Sequence, residues 1–366
     1  MTGPALPNTV RLGILLPEDV PLRAHVIIVS CAAAAGFLAP FQVPAATRYD
    51  GDGVLSGRTE VVRWCINRAR YAPEMEADRL KLTNSTAGGH PDYDACEDTD
   101  GTNDFGTTVA QWAPWVVSKP PLAPCSNLVR TAQNHSKDMA ETGVFSHYSP
   151  SANYYPLNST PYERMTNEHY SWNAAGENIA SGTTGGYTPL DIHSNLFEDA
   201  GIANRGHRQI ILDYKYEFRE IGVGFAAGGG WDYYTEDFAK RASNHFFTCT
   251  LFHDANTNGV YDEGEGVGGV QVHLWSGTSE ALWYDESQAS GSFAIPINDL
   301  PDGGEIDVEL VNTNAVTKRL TLPLGYNTLG EIELTNNEAW VFGSFVQPRG
   351  LTNVGFRNVS PRVEAD

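Results

Sequence analysis

The chain of 366 residues is long enough for two domains with hydrophobic cores, since 41% of it is hydrophobic and 11% is aromatic. Its formal net charge of −21 repels phosphate groups at long range, which disfavours nucleic acid and anionic membranes as partners. Only 19% of the residues are charged, whereas glycines number 36 and prolines 21, so we expect many turns and loops.

The first 46 residues differ from the rest and have the pattern of a targeting segment. Arg23 precedes an apolar run from residue 24 to 39, and small residues follow at Ala45-Ala46. This order is typical of a secretory signal peptide, and the run is shorter than the roughly 20 apolar residues that cross a bilayer. We therefore predict export and no transmembrane span in the mature chain. Lipid anchoring through Cys31, which follows a lipobox-like Ile-Val-Ser, is the alternative.

Export would place the cysteines in an oxidising compartment, where thiols form disulfides. Four cysteines remain after Cys31, and the sequence leaves all three possible pairings open. Their spacing does not match a zinc-ribbon pattern, so we do not expect them to hold structural zinc. We predict disulfides among Cys65, Cys96, Cys125 and Cys249.

Helical spacing of apolar residues follows a Gly/Asp-rich linker at 47–58. Gly143 is a helix stop, and Thr188-Pro189 is a helix start with a capping residue and a proline in the first turn. Alternating and aromatic-rich runs then indicate strands. We predict helices over 58–73, over 126–142 and from 188 onward, and strands over 219–228 and 244–252.

The pattern changes again from about residue 252. Helical spacing disappears, and short strand-like runs recur between turn residues, which is typical of an all-β sandwich. Residues 246–336 hold 14 acidic and 2 basic residues, so this region contributes −12 of the net charge of −21. We place the β-sandwich at 251–337 and a C-terminal tail at 338–366.

Three short segments carry the ionisable residues best suited to chemistry. They are Gly-Val-Phe-Ser-His with His147, Ala-Gly-Glu-Asn with Glu177, and Gly-His-Arg with His207, each expected at the junction of an element with a loop. Two imidazoles and a carboxylate can bind a divalent cation or transfer protons near neutral pH. His135 falls on the apolar face of its helix, and we interpret it as a buried structural histidine.

Together these motifs resemble the CAP superfamily of SCP-like extracellular proteins, in its bacterial form. The resemblance covers residues 59–250 and implies an α/β fold, a three-layer α-β-α sandwich followed here by the small all-β sandwich. It also implies a central cleft lined by two histidines and two acids that can hold a divalent cation such as zinc. Carried onto this sequence, the cleft residues are His147, Glu177, His207 and, as the second acid, Asp199 or Glu198.

A second motif opens the β region. Residues 254–265, Asp-Ala-Asn-Thr-Asn-Gly-Val-Tyr-Asp-Glu-Gly-Glu, match the EF-hand loop template without a gap. Strand-like flanks replace the usual helices, so the segment resembles the calcium loops that open secreted bacterial Cna-B or Sdr domains. The alternative is an acidic turn without metal. We predict calcium ligands at Asp254, Asn256, Asn258, Val260, Asp262 and Glu265.

Two functions agree with these patterns. The first is a secreted protein whose cleft binds a divalent cation and a small, lipid, peptidic or cell-wall ligand, with the calcium-stabilised β-domain as spacer or adhesion module. The second is a metal- or His/Glu-dependent extracellular hydrolase of peptides or cell-wall polymers. The sequence has neither a Gly-x-Ser-x-Gly nor a His-Glu-x-x-His motif, so we favour binding.

Overall fold

A computed structural model describes the chain from residue 46 onward, with gaps. The described residues are 46–73, 76, 79–80, 119–199, 202, 206–213, 216–241, 245–256, 258, 260–298, 305–311, 317–323, 329–333 and 340–344. Most of the predicted targeting segment, including Cys31, lies outside these residues, as does Cys96.

The helices and strands alternate at first and give way to strands alone. The helices are α1 (Gly57–Tyr71), α2 (Ser126–Thr142), α3 (Pro161–Asn167), α4 (Pro189–Glu198) and α5 (Gly206–Leu212). The strands are β1 (Thr47–Arg48), β2 (Ala123–Pro124), β3 (Ala174–Thr183), β4 (Glu220–Gly228), β5 (Trp231–Lys240), β6 (Phe246–Phe252), β7 (Gln271–Ser276), β8 (Ser279–Glu280), β9 (Trp283–Glu286), β10 (Ser292–Pro296), β11 (Glu305–Val311), β12 (Thr317–Pro323), β13 (Leu329–Glu333) and β14 (Trp340–Ser344).

The first unit is built around a four-stranded sheet in the order β2-β4-β5-β3. Its long strands β3, β5 and β4 pair antiparallel, and β3 lies at one end of this sheet. Helix α2 packs on one face, and α1, α4 and α5 pack around the other. This is the three-layer α-β-α arrangement expected from the resemblance, and the fold class is confirmed.

Strand β4 explains why α2 lies so close to the sheet. Ile221 and Val223 point into the core beneath α1, whereas Gly222 and Gly224 face α2. A Cβ atom on Gly222 would lie 2.0 Å from the backbone carbonyl carbon of Leu128, a distance that no side chain tolerates. The glycines of this segment therefore allow a helix to rest directly on a strand.

The second unit is a β-sandwich. One sheet has the path β1-β9-β7-β11-β12 with β8 attached to β7, and the other has the order β10-β6-β14-β13. Side chains from both sheets meet in one apolar core. Its buried members are Phe247, Cys249, Leu251, Val270, Val272, Leu274, Ala281, Phe293, Ile295, Ile297, Val308 and Leu310.

The boundaries of this sandwich differ from the predicted ones. Strand β6 pairs with β10 and β14, so the sandwich begins before the predicted start at 251. The predicted tail at 338–366 contains β14, and the predicted linker at 47–58 contains β1, which pairs with β9. The boundaries of the sandwich depend on strand pairing between distant segments, which local sequence patterns do not predict.

Helix α1 joins the two units. Arg63 is 1% exposed and forms an ion pair of 2.5 Å with the buried Glu60. The same guanidinium donates to the carbonyl oxygens of Leu122 in the first unit and Cys249 in the second, at 2.9 and 3.1 Å. Beside it, α1 packs against the start of the sandwich in a cluster of Val61, Trp64, Cys65, Phe252 and Tyr261, with Val260 at its edge.

The predicted disulfides are not found among the described cysteines. Cys65, Cys125 and Cys249 are buried thiols in three different apolar clusters, and no disulfide joins them. Burial raises the pKa of Cys65 and of Cys125 to about 12, which keeps both protonated. Any pairing with Cys96 lies outside the described residues. In the part of the chain that the structure describes, no helix combines the length and apolarity needed to cross a bilayer.

Candidate functional site

Glu177 lies in the middle of β3 and not at the predicted junction of an element with a loop. Its neighbour Gly176 faces the other side of the strand, where a Cβ atom would approach Phe218 and Ile210 at 3.3 and 3.5 Å. The Glu177 side chain is 1% exposed and points to the face covered by α2, opposite Asp237 of β5. The carboxylate is therefore buried at the end strand of the sheet.

Two residues hold the carboxylate of Glu177. The Nδ1 atom of His147 lies 2.8 Å from Oε1, and the Nη2 atom of Arg164 donates to Oε2. Arg164 also donates to the carbonyl oxygens of His147 and Ser159, at 2.9 Å each, and so fixes the loop that carries His147. Burial alone would raise the pKa of Glu177, but the hydrogen bond from His147 and the charge of Arg164 outweigh it and lower the pKa.

His135 lies behind this pair and is buried, as the sequence analysis interpreted it. Its Nε2 atom is 2.9 Å from the carbonyl oxygen of Ser146, so Nε2 carries the proton of the neutral ring. Burial lowers the pKa of His135 to about 4. This histidine therefore supports the loop before His147 as an uncharged group.

His207 forms a second pair, with Asp199. Its Nδ1 atom lies 2.7 Å from Oδ1 of Asp199, and its backbone N–H donates to Oδ2 at 2.9 Å. Asp199 follows α4 in a left-handed conformation with φ 56°, which turns its carboxylate toward the first turn of α5. Burial lowers the pKa of His207, but the hydrogen bond and charge of Asp199 outweigh it, so the pKa is raised. Of the two candidate acids, Asp199 is the one whose carboxylate meets His207.

The two histidines contact neighbouring residues of β3 from opposite faces of the sheet. Successive side chains of a strand point to opposite sides. Glu177 thus meets His147 on the face of α2, while the Nδ2 atom of Asn178 donates to the His207 carbonyl at 3.3 Å on the face of α5. That Nδ2 atom also donates to the buried Glu236 of β5 at 3.1 Å. Burial raises the pKa of Glu236 to about 7.

Both imidazoles meet their carboxylates through Nδ1, so Nε2 is the nitrogen left for other contacts. In each pair Nδ1 faces a carboxylate, the arrangement that orients metal-binding histidines and leaves the lone pair on Nε2. The acids serve as hydrogen-bond acceptors in these pairs, because the oxygens of Glu177 and Asp199 already have donors. Among the described residues, no group of three or more His, Cys, Asp or Glu side chains has the arrangement of a metal site. The convergence of His147 and His207 on one cation therefore stays a prediction.

Sequence reasoning missed three buried residues of this region, Arg164, Glu236 and Asp237. Arg164 lies in the short helix α3, whose Thr-Pro-x-Glu start was a readable signal because Thr160 and Glu163 form a capping box. Glu236 and Asp237 belong to a strand in which acids are uncommon. Their position opposite Asn178 and Glu177 follows from strand pairing and could not be read locally.

The predicted calcium loop is partly described. The amide groups of Asn256 and Asn258 both donate to Oδ2 of Asp262, at 2.7 Å each. The backbone N–H of Asn258 donates to Oδ1 of Asp254 at 3.1 Å. These hydrogen bonds link four of the predicted side-chain ligands within the loop.

Glu265 closes this loop. Its two carboxylate oxygens accept the backbone N–H groups of Ala255 and Asp262, at 3.0 Å each. Val260, whose carbonyl is the predicted backbone ligand, packs against the cluster that joins the loop to α1. Glu265, the last position of the motif, is therefore linked to Ala255 at the second position and to Asp262 at the ninth.

Comparison with known proteins finds a family match that covers most of the first unit. Residues 118–251 match the family described as the cysteine-rich secretory protein family, CAP. This segment is similar to CAP domains. It contains β3, α4, α5 and both histidine–carboxylate pairs, whereas α1 precedes the matched residues. The calcium-loop domain has no such match and stays a prediction.

Individual proteins are similar to parts of this chain. An uncharacterised Bacillus subtilis protein, YkwD, is 32% identical over 109 residues, which are 30% of this chain and 36% of the relative. An extracellular protein with an SCP domain from Bacillus anthracis is 27% identical, with a TM-score of 0.27, over 34% of this chain and 35% of its own. An outer surface protein of Borrelia burgdorferi is 17% identical, with a TM-score of 0.25, over 32% of this chain and 74% of its own. The chain thus spans about a third of the length of the curated relative it matches.

Proposed function

We propose that this chain is a secreted binding protein whose CAP domain holds a divalent cation and a small, lipid or peptidic extracellular ligand at β3. The observation that carries the proposal is the pair of carboxylate-oriented imidazoles, His147 on Glu177 and His207 on Asp199, which contact adjacent positions of one end strand. The His147 side chain is 47% exposed and that of His207 is 23% exposed, so external molecules reach both.

The orientation of the two imidazoles by carboxylates supports a cation bound through nitrogen. His147 and His207 would hold it through Nε2, while Glu177 and Asp199 fix the ring orientations from the other side. A bound zinc ion would act as a Lewis acid toward a carbonyl or phosphoryl oxygen of the ligand. Arg164 keeps Glu177 ionised and in place, so that His147 presents the same nitrogen with and without the cation.

The β-sandwich contributes a second proposed cation site, for calcium. Asp254, Asn256, Asn258, Asp262 and Glu265 offer carboxylate and amide oxygens, the donors that calcium prefers, and Val260 adds a backbone carbonyl. Because Tyr261 lies between two of these ligands and packs on α1, calcium would stiffen the junction of the two units. We propose that the sandwich serves as a calcium-stabilised spacer or adhesion module.

Removal of both histidines tests the CAP site. We expect the double substitution His147→Ala and His207→Ala to weaken zinc binding at least tenfold in titration calorimetry of the full chain at pH 7.5. Binding should weaken as the pH falls, because protons compete for imidazole nitrogen, and the raised pKa of His207 extends this competition to higher pH than for an ordinary histidine.

A third histidine provides the matched control. His273 of the sandwich also faces a carboxylate through Nδ1, at 2.6 Å from Glu280, so His273→Ala removes an equivalent pair elsewhere. We expect it to leave zinc binding unchanged. Equal affinities of the wild type and the double variant would refute the site. A turnover of peptide or wall polymer that disappears in Glu177→Gln would favour the hydrolase alternative over binding.

Export has its own test. The apolar run before Ala45-Ala46 motivates it, and we expect amino-terminal sequencing of secreted protein to begin near Thr47. An amino terminus at a lipid-modified Cys31 would instead place the protein on a membrane surface.

A further inference from the structure

Two exposed aromatic rings lie side by side on the surface of the first unit. The ring centroids of Tyr162 and Trp172 are 5.4 Å apart, and the ring planes are tilted by 46°. Tyr162 is 44% exposed and Trp172 is 40% exposed, and Tyr148 and Leu157 of the same segment, residues 144–173, are exposed as well. Exposed apolar residues that occur together mark binding surfaces, whereas single ones do not. We call Tyr162 and Trp172 the aromatic platform.

The backbone on both sides of Trp172 is anchored. Two residues before it, Tyr170 is buried, and its hydroxyl donates to Glu220 at 2.7 Å. Directly after it, the backbone N–H of Asn173 donates to the carbonyl oxygen of Lys240 at 2.9 Å. The indole is therefore held at the surface before any ligand arrives, which lowers the entropic cost of binding.

Tyr162 stands on the helix that also supports the His147 loop. It lies in the first turn of α3, which begins with the capping box of Thr160 and Glu163. Arg164 of the same helix is buried and donates to the His147 carbonyl oxygen at 2.9 Å. The helix thus presents Tyr162 outward and Arg164 inward, and it places the aromatic platform in the same unit as the proposed cation site.

The segment that carries the platform is polar but nearly uncharged. Residues 144–173 include 11 Asn, Ser and Thr residues but only one arginine and two glutamates, in a chain with a net charge of −21. The arginine is buried, and Glu168 pairs with Arg130 at 2.9 Å. Amide and hydroxyl groups donate and accept hydrogen bonds without carrying charge. Such a surface is suited to a neutral ligand with many hydroxyl groups.

We propose that Tyr162 and Trp172 form a binding platform for a neutral polysaccharide. The apolar C–H face of a sugar ring packs on an aromatic ring, while its hydroxyl groups bond the amides and hydroxyls around it. The ring separation of 5.4 Å is close to the length of one sugar unit, so the two rings can contact successive units of a chain. A membrane surface fits less well, because the segment has no exposed Lys or Arg to attract anionic lipids. The platform requires neither the cation nor the two histidines, and so goes beyond the proposed function.

Binding is tested with the full chain, in chelator, and three neutral hexasaccharides: chitohexaose, cellohexaose and maltohexaose. The measurement is nuclear magnetic resonance of the indole N–H groups. We expect at least one of the sugars to shift the Trp172 signal until it saturates. Because the ligand is uncharged, the dissociation constant should be the same at low and high salt. Absence of saturable binding by all three sugars would overturn the proposal.

Substitutions of the platform test its two rings. We expect Trp172→Ala and Tyr162→Ala each to weaken binding about tenfold, and Trp172→Tyr, which keeps an aromatic ring, to weaken it less. Trp231→Ala is the matched control, because Trp231 is 46% exposed in the same unit but pairs with Thr183 at the opposite end of β3. We expect this control to leave binding unchanged.

Three results would contradict this assignment. Equal affinities of the wild type and Trp172→Ala would show that the sugar binds elsewhere, and equal losses in Trp172→Ala and Trp231→Ala would show unspecific contact with exposed indoles. Binding of the wild type, but not of Trp172→Ala, to phosphatidylcholine vesicles without any sugar binding would make the platform a membrane contact. If Tyr162→Ala does not fold, Trp172→Ala decides. A wild type that fails to bind zinc would refute the proposed function and leave the sugar titration, done in chelator, untouched.

Discussion

Replacing Arg164 by methionine should lower the free energy of unfolding by about 3–5 kcal/mol at pH 7, because it leaves a buried carboxylate without its counter-charge. Arg164 is fully buried, and its guanidinium also holds the loops at His147 and Ser159. The pKa of Glu177 is lowered in the folded wild type, so its ionised carboxylate stabilises the fold at pH values above the usual pKa of a glutamate. This stabilisation is lost as the pH falls and the carboxylate takes up a proton. The effect of the substitution should therefore be largest at neutral pH and shrink on acidification. Urea titrations at pH 7 and pH 4 measure it.

A surface arginine of the same domain gives the control. Arg130 bonds Glu168 at 2.9 Å, but its side chain is 52% exposed, and such pairs contribute less than about 1 kcal/mol. Arg130→Met should therefore be nearly neutral. Equal costs for the two arginines would mean that the Arg164–Glu177 pair is no more important than a surface contact.

Calcium should raise the melting temperature of the full chain, and Glu265→Gln should remove most of that rise. With two Asn ligands in place of acids, we expect a dissociation constant of about 10⁻⁴ M, so 10 mM calcium would stabilise the folded state by about 2.7 kcal/mol. Glu265 accepts the backbone N–H groups of Ala255 and Asp262 and is the expected bidentate ligand. The measurement is a pair of melting curves, in calcium and in chelator, for each variant.

The substitution Glu263→Gln distinguishes the loss of a calcium ligand from the loss of a negative charge in the loop. It lies in the same loop, is exposed, and occupies no ligand position of the motif. Glu263→Gln removes the same charge and should keep the calcium-dependent rise. Identical wild-type melting curves in calcium and in chelator would show that residues 254–265 are an acidic turn without metal.

Local chemistry was predictable where it depends on consecutive residues. Gly143 ends α2 in the left-handed conformation that glycine adopts most easily, and Thr188 begins α4 with a capping box. The CAP motifs were recognisable because each is a short run, and the alternation after residue 252 indicated the sandwich. The prediction for the segment around Glu177 was wrong. Its small residues are typical of a loop boundary, but they form the strand β3.

The sequence by itself determined which ionisable residues the protein carries, where α1, α2 and α4 begin, and that two kinds of unit follow each other. The tertiary structure alone decided that Glu177 meets Arg164 and Asp237, that Asp199 meets His207, and that Cys65, Cys125 and Cys249 occupy separate cores. The physical reason is sequence separation. Caps and periodicity arise within one turn or one strand, whereas the partner of a buried charge is set by which distant strands and helices pack together.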